Sequence, residues 1–151
     1  MNYWVIKSEP EVYSIADLQQ ERQTTWEGVR NYQARNFLRQ MNIGDIAFFY
    51  HSNITPPGIV GLTRVVTPNI IDPTQFDPKS QYYDPKSTPQ APRWHTVVIE
   101  FIEAFPRLLT LEILKQEFSA EELWVVRRGN RLSVMPVAEA VAKKLIAMTH
   151  S

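Results

Sequence analysis

The chain has 151 residues, enough for one domain with a sizeable core. Sixteen basic and sixteen acidic residues cancel, so no global field draws it to nucleic acid or anionic lipid, and such binding must come from a local patch. Cysteine is absent, which excludes disulfides, thiol nucleophiles and zinc–thiolate sites, while 44% hydrophobic and 21% charged residues are ordinary for a globular protein.

A β-rich run, Tyr3–Ile6, opens the chain with no basic leader or cleavage pattern before it. No segment approaches the roughly 18 apolar residues that span a bilayer. A cytoplasmic, monomeric protein with no membrane partner is expected, folded as a single domain over residues 1–151. Lys7, Ser8 and Glu9 end the first strand, because Pro10 cannot donate to a ladder and keeps Glu9 out of helical angles. These three polar side chains either line a pocket at the sheet's end or simply cap the turn.

Ser14–Arg22 has the pattern of a short helix with Ser14 as N-cap. Trp26 follows in a loop. From about Asn31 to Met41, Ala34, Phe37, Leu38 and Met41 recur at i, i+3, i+4 and i+7, the buried stripe of a second helix. Asn31, Arg35 and Arg39 line another face, which either approaches phosphates or is solvated. Residues 42–45 make a turn, and Ile46–Tyr50 is a strand without alternation, hence covered on both faces. Ile59–Val66 pairs back on it, with Gly61 marking a bulge or a close backbone approach.

A proline-rich flap is expected at about 67–93, with six prolines between Thr67 and Arg93 and two copies of Asp-Pro-Lys-Ser, at Asp77–Ser80 and Asp84–Ser87. Trp94–Phe105 is the longest strand pattern, stopped by Pro106. Thr110 caps a helix carrying Leu111, Leu114 and Phe118, Ser119 and Glu122 form a capping box, and a last helix runs from about Val137 to Met148. Helices therefore alternate with five or six strands, which gives α/β or α+β content around a curled mixed sheet.

The chemistry-bearing residues are sparse. His51, His95 and His150 share no metal-binding spacing, and no phosphate-cradling loop or paired carboxylates occur, so no metal, no cofactor and no catalytic constellation is expected. The region around Trp26 is instead rich in rings: Trp26, Tyr32, Tyr50, Tyr82, Tyr83 and Trp94, interleaved with Lys7, Arg30, Arg35 and the turn Arg127–Arg131. That composition suits a flat ligand held by stacking, at roughly 1–3 kcal/mol per base, with polar groups reading its edge.

Long strings carry a resemblance at this point. Tyr3–Pro10, Trp26–Asn36, Gly44-Asp45, Phe49–Ser52, Gly58–Gly61, Asp77–Ser80 and Arg127–Pro136 are similar to an EVE domain over essentially the whole chain. The resemblance implies an α+β fold, a PUA-like curved mixed β-barrel flanked by helices, related to YTH, ASCH and PUA domains. It also implies a non-enzymatic binding module for a modified nucleobase in DNA or RNA, either methylated or hydroxymethylated cytosine or methylated adenine. In that reading an aromatic cage holds the base. Lys7-Ser8 matches the Lys-Ser ending the first strand of YTH domains, and Trp26 matches their cage tryptophan. Tyr83 and Trp94 are the candidates for the second wall, with Glu9, Asn31, Tyr50 and Ser52 at the base edge. Arg30, Arg35, Arg127, Arg128 and Arg131 are the candidates for phosphate contacts. The short chain suits a bacterial single-domain member. Two other readings stay open: an enzyme acting on a nucleotide or RNA, like some ASCH relatives, with Lys7 and Glu9 as its acid/base pair, or a small-molecule binder using the same cleft.

Overall fold

The computed structural model describes residues 1–150. Ten elements follow one another: β1 (Tyr3–Ser8), α1 (Ile15–Glu21), β2 (Gln23–Thr25), α2 (Tyr32–Gln40), β3 (Ile46–His51), β4 (Gly58–Ile71), β5 (His95–Thr110), α3 (Leu111–Glu117), β6 (Val134–Val137) and α4 (Glu139–Thr149). The strands form one sheet in the order β2-β5-β4-β3-β1-β6. Only β1 and β3 run parallel, Tyr3 facing Ile46 and Ser8 facing His51, and the other pairings are antiparallel. The fold is therefore α+β with a mixed sheet.

The uninterrupted apolar run of β3 is explained by cover on both faces. Ala47 and Phe49 join a core with Trp4, Ile6, Leu18, Leu38 and Ile99, while Phe48 and Tyr50 join a second core with Val5, Leu109, Leu114 and Leu145. Alternate residues of β1 and β3 thus enter opposite cores, as the period of two requires. Helix α2 is capped by the Asn31 side chain, which accepts from the Ala34 N–H, and buries Ala34 and Leu38 completely. It packs against both β5 and β6, which lie towards opposite ends of the strand order. The sheet is therefore curled, and α2 fills the gap that the two edge strands leave.

Several boundaries differ from the sequence pattern. Strand β4 continues through Pro68 to Ile71, so residues 67–71 belong to the sheet and the flap begins at Asp72. Strand β5 runs through Pro106 to Thr110. The pairing with β4 jumps there, from Gly61 opposite Ala104 to Ile59 opposite Leu109, so Pro106 falls in the irregular stretch where no ladder N–H is required of it. Gly61 sits at this shift, and a Cβ on it would lie 2.6 Å from Ile15 Cδ1 and 2.7 Å from the Glu103 carbonyl oxygen. Val137 ends β6 rather than opening the last helix, which begins at Glu139. Strand β1 runs on to include Lys7 and Ser8.

Asp45 ties the start of β3 to the N-terminus. Its carboxylate is 1% exposed and accepts from the Asn2 N–H, the Trp4 indole Nε1–H and the Asn42 N–H, each at 3.0 Å. Asp45→Ala leaves three donors without an acceptor. A buried unsatisfied donor such as the Trp4 indole N–H costs about 1–3 kcal/mol, while the part-buried Asn2 and Asn42 N–H groups can turn to water. The urea midpoint should therefore fall by the equivalent of about 2 kcal/mol, as read by tryptophan fluorescence. A loss of about 1 kcal/mol or less would show that this anchor is dispensable.

Candidate nucleic-acid interface

An open cleft of about 480 Å³ lies where the ends of the sheet fail to meet. The C-terminal end of β1 and Ser133, just before β6, form one wall, and β2 with the loop 26–30 forms the other. The wall at β1 is fixed by the Lys7 N–H donating to the Ser133 carbonyl at 2.8 Å. The opposite wall is fixed by the Trp26 N–H donating to the Val97 carbonyl at 2.9 Å and by the Thr96 hydroxyl donating to the Trp26 carbonyl.

Trp26 stands at the back of the cleft, only 7% exposed. Tyr13 and Phe49 meet it edge-on, at centroid distances of 6.3 and 5.5 Å and interplanar angles of 83° and 82°, so its plane is locked. The Tyr13 hydroxyl donates to Glu21, and burial followed by that carboxylate pushes the phenol up to about 12. It stays a neutral donor at any ordinary pH. The Ser8 hydroxyl donates to the Tyr13 carbonyl at 2.7 Å, leaving its oxygen able to accept. Burial lowers the pKa of Lys7, whose ammonium lies 5.8 Å from the Tyr50 ring centroid and forms no ion pair among the described residues. The carboxyl of Glu27, on the cleft's lining, is raised by burial and then by the charge of Asp72.

The flap closes the cleft through one buried carboxylate. Asp72, 1% exposed, accepts from the Gly28 N–H at 2.9 Å, the Thr74 N–H at 2.8 Å, the Thr74 hydroxyl and Arg30 Nη1 at 3.1 Å. Arg30 in turn donates from Nε and Nη2 to the Tyr82 carbonyl, at 3.0 and 2.7 Å. The Tyr82 ring then lies directly on Gly28. A Cβ there would come within 2.6 Å of the ring, and the φ of +89° also favours glycine.

The expected site residues separate into three groups. Lys7, Ser8, Glu9, Trp26 and Arg30 all line the cleft. Tyr50 is buried behind Lys7, its phenol pushed up to about 12 by burial, and Ser52 lies beside the cleft with its N–H on the Ser8 carbonyl. Trp94 is buried in the flap's root, its indole N–H donating to Asp84 at 2.8 Å, and Tyr83 is 41% exposed outside the lining. Asn31 is the cap of α2 and Arg35 lies over Tyr32, its Nη1 donating to the Arg93 carbonyl. Arg127 lies over Trp124 and donates to the Ala120 carbonyl, and Arg128 and Arg131 are exposed. Neither Asn31 and Arg35 nor these three arginines enter the lining.

Val12, Tyr13, Thr24, Thr25 and Val29 also line the cleft, and sequence patterns did not select them for it. Glu27 and Tyr82 line it too, Tyr82 being one of the rings that the composition singled out. Gly28, two residues after Trp26, was the available sign that a ring presses on this loop. His51 has a structural place, its Nε2 accepting from the Ile15 N–H at 3.1 Å, and burial lowers its pKa.

A curled mixed sheet plugged by one helix, with an aromatic cleft at its seam, is the architecture of a PUA-like domain. The Mmi1 YTH domain shares that fold at a TM-score of 0.58 and 12% identity, covering 99% of this chain and 88% of its own. The EVE domain model matches residues 2–148, and the chain belongs to the EVE domain family. Thymocyte nuclear protein 1 of mouse is 43% identical over 156 residues, covering 91% of this chain and 69% of the mouse protein. The human THYN1 protein, solved in complex with 5-methylcytosine-containing DNA, has a TM-score of 0.93 at 37% identity and covers 100% of this chain and 99% of its own.

The Asp72 clasp has a pH signature. Burial alone would raise its pKa, but the hydrogen bonds from Thr74, Gly28 and Arg30 outweigh that and hold it below the ordinary 3.8. A carboxylate with a depressed folded pKa stabilises fully above its unfolded pKa and loses that stabilisation as pH falls through the folded value. Stability of the native chain should therefore decline from about pH 5 downward, and Asp72→Asn should flatten that limb while lowering stability near neutrality. Urea midpoints across the acid range test this, and parallel curves for both proteins would remove Asp72 from the account.

Proposed function

We propose that this chain is a non-enzymatic reader of a modified base in nucleic acid, and that the base is 5-methylcytosine in DNA. The observation that carries the reading is the cleft itself, which sets a locked tryptophan against hydrogen-bonding groups on a shape shared with human THYN1. A base leaving its stack would lie against Trp26, worth about 1–3 kcal/mol. Cytosine offers an exocyclic amine as donor and ring N3 and O2 as acceptors. The carboxyls of Glu9 and Glu27 suit the amine, and the Lys7 ammonium suits an acceptor. Val12 and Val29, also on the lining, provide apolar surface for a methyl group.

The geometry favours binding over catalysis. Ser8 directs its hydroxyl proton to the Tyr13 carbonyl, so it is not poised against a base as a nucleophile. The desolvated Lys7 favours one second reading, proton transfer on a nucleotide with Glu9 as its partner. Turnover of nucleosides or oligonucleotides detected as a mass change, and lost in Lys7→Met, would establish that reading instead.

Trp26→Leu and Lys7→Met keep the bulk of each side chain apolar and are expected to remain folded. Each should lower affinity for an oligonucleotide carrying one 5-methylcytosine by about tenfold, the loss expected for one stacking or charged edge contact. Fluorescence anisotropy measures it, with circular dichroism as the check on folding. Unchanged affinity in both folded variants would sink the reading.

A further inference from the structure

The zero net charge conceals a polarity across the cleft. On the α1 side stand Glu9, Asp17 and Glu21, all exposed. The flap side is different. There, a stack of rings and guanidinium groups leads outward from the cleft. Arg30 lies 5.8 Å from the Tyr82 centroid and 5.1 Å from that of Trp94. Trp94 stacks on Tyr32 at 4.8 Å with 18° between planes, and Arg35 covers Tyr32 at 4.8 Å. Arg35 is pinned to the Arg93 carbonyl at 2.8 Å, and Arg39 lies one turn further along α2. The fields of Arg39 and Arg35 both act on His95, whose pKa is lowered by burial first and by Arg39 next, with Arg35 adding less than the opposing hydrogen bond to the Pro92 backbone. Arg35, Arg39 and His95 thus share one surface, and the Arg93 backbone borders it. The Arg93 charge acts on Asp84 at the flap's root, though none of the three arginines forms an ion pair among the described residues. Arg30 is not part of it, because Asp72 and the Tyr82 carbonyl occupy its guanidinium.

We propose that the sugar-phosphate strand flanking the bound base leaves the cleft across the root of the flap and the first turns of α2, with its phosphates on Arg35, Arg39 and Arg93. The acidic α1 side excludes it from the other direction. This path rests on the base-reading function above, but assigns the backbone a route that function does not specify. It also moves the principal phosphate contacts from Arg30 and the Arg127–Arg131 turn to the α2 surface. The stack underneath makes the surface specific: Trp94 and Tyr32 hold the Arg35 guanidinium in place before any strand arrives, so little side-chain freedom is lost on binding.

The experiment measures affinity against salt concentration for the full chain, with a single strand carrying one 5-methylcytosine and with its unmodified counterpart. Each phosphate contact contributes about 0.7 to the slope of log affinity against log salt for single strands. Arg39→Ala and Arg93→Ala should each reduce the slope by about that amount and weaken both strands by the same factor. Lys143→Ala, on α4, should change nothing. Slopes unchanged in both arginine variants would overturn the path. A wild-type protein that binds the two strands equally would instead overturn the base-reading function, and the slopes would still decide where the backbone lies.

Discussion

The constraint on which this structure depends is a sheet that curls without closing. Strands β2 and β6 end the strand order, and nothing pairs them to each other. An open edge inside a curled sheet exposes backbone groups and apolar side chains, and the chain deals with the two problems separately. Helix α2 covers the apolar part, burying Ala34 and Leu38 against the core shared by β1, β3 and β5. The polar part remains open, and there the ends of β1 and β2 face one another across the cleft. The site is thus what remains after the helix has sealed as much of the seam as its apolar stripe can reach. Its width follows from α2, whose contacts with β5 and β6 hold the two sides apart.

A seam of this kind does not by itself give a defined cleft, since a proline-rich segment more than twenty residues long lies over it. The segment is ordered by buried polar chemistry rather than by an apolar core. Gln75, fully buried, donates from its amide nitrogen to the Asp72 and Trp94 carbonyls at 2.7 and 2.8 Å. Its amide oxygen accepts from the Trp94 N–H at 3.1 Å and from the Ser87 hydroxyl. The two Asp-Pro-Lys-Ser turns repeat one local solution, each aspartate accepting from the lysine N–H two residues on, at 2.9 and 3.0 Å. One copy leaves Lys79 exposed and holds the Tyr82 N–H on Ser80 Oγ at 3.0 Å, whereas the other sends Asp84 back to Trp94. Repetition in the sequence therefore encodes turns, and the contacts each turn makes decide its role.

The sequence was most legible where periodicity and capping act locally. The stripe of α2, the unbroken β3 and the caps at Ser14 and Thr110 all follow from short-range chemistry, and the structure shows each of them, whereas Asn31, read as a face residue of α2, proves to be its cap. It was least legible where pairing partners are distant. Pro106 is compatible with β5 only because β4 shifts register at Gly61, more than forty residues earlier, and no local pattern around Pro106 reports that. The cleft divides in the same way. Lys7, Ser8 and Trp26 could be selected because they lie at the ends of strong elements. Tyr82 and Tyr83 look identical in the sequence, and only the Arg30–Asp72 clasp, with Gly28 beneath it, turns Tyr82 inward.

The clasp also accounts for the division of labour among the arginines. Six cations around the site looked interchangeable as charges, yet burial sorts them. Arg30 must neutralise Asp72, which is 1% exposed, and a buried ion pair with one partner removed is strongly destabilising. It is therefore committed to the fold before any ligand arrives. Arg35 is half-committed: its guanidinium lies on an aromatic ring, donates from Nη1 to the Arg93 carbonyl and from Nε and Nη2 to Asn36 Oδ1, and so keeps two of its five N–H donors unused. Arg39 lies exposed at the end of the series. Commitment to the fold falls steadily with distance from Asp72, and availability to an anionic ligand rises with it. A chain of zero net charge can in this way present free guanidinium groups on one side of its cleft, because the acidic residues that balance the total are spread over the whole molecule, with Glu9, Asp17 and Glu21 on the opposite side.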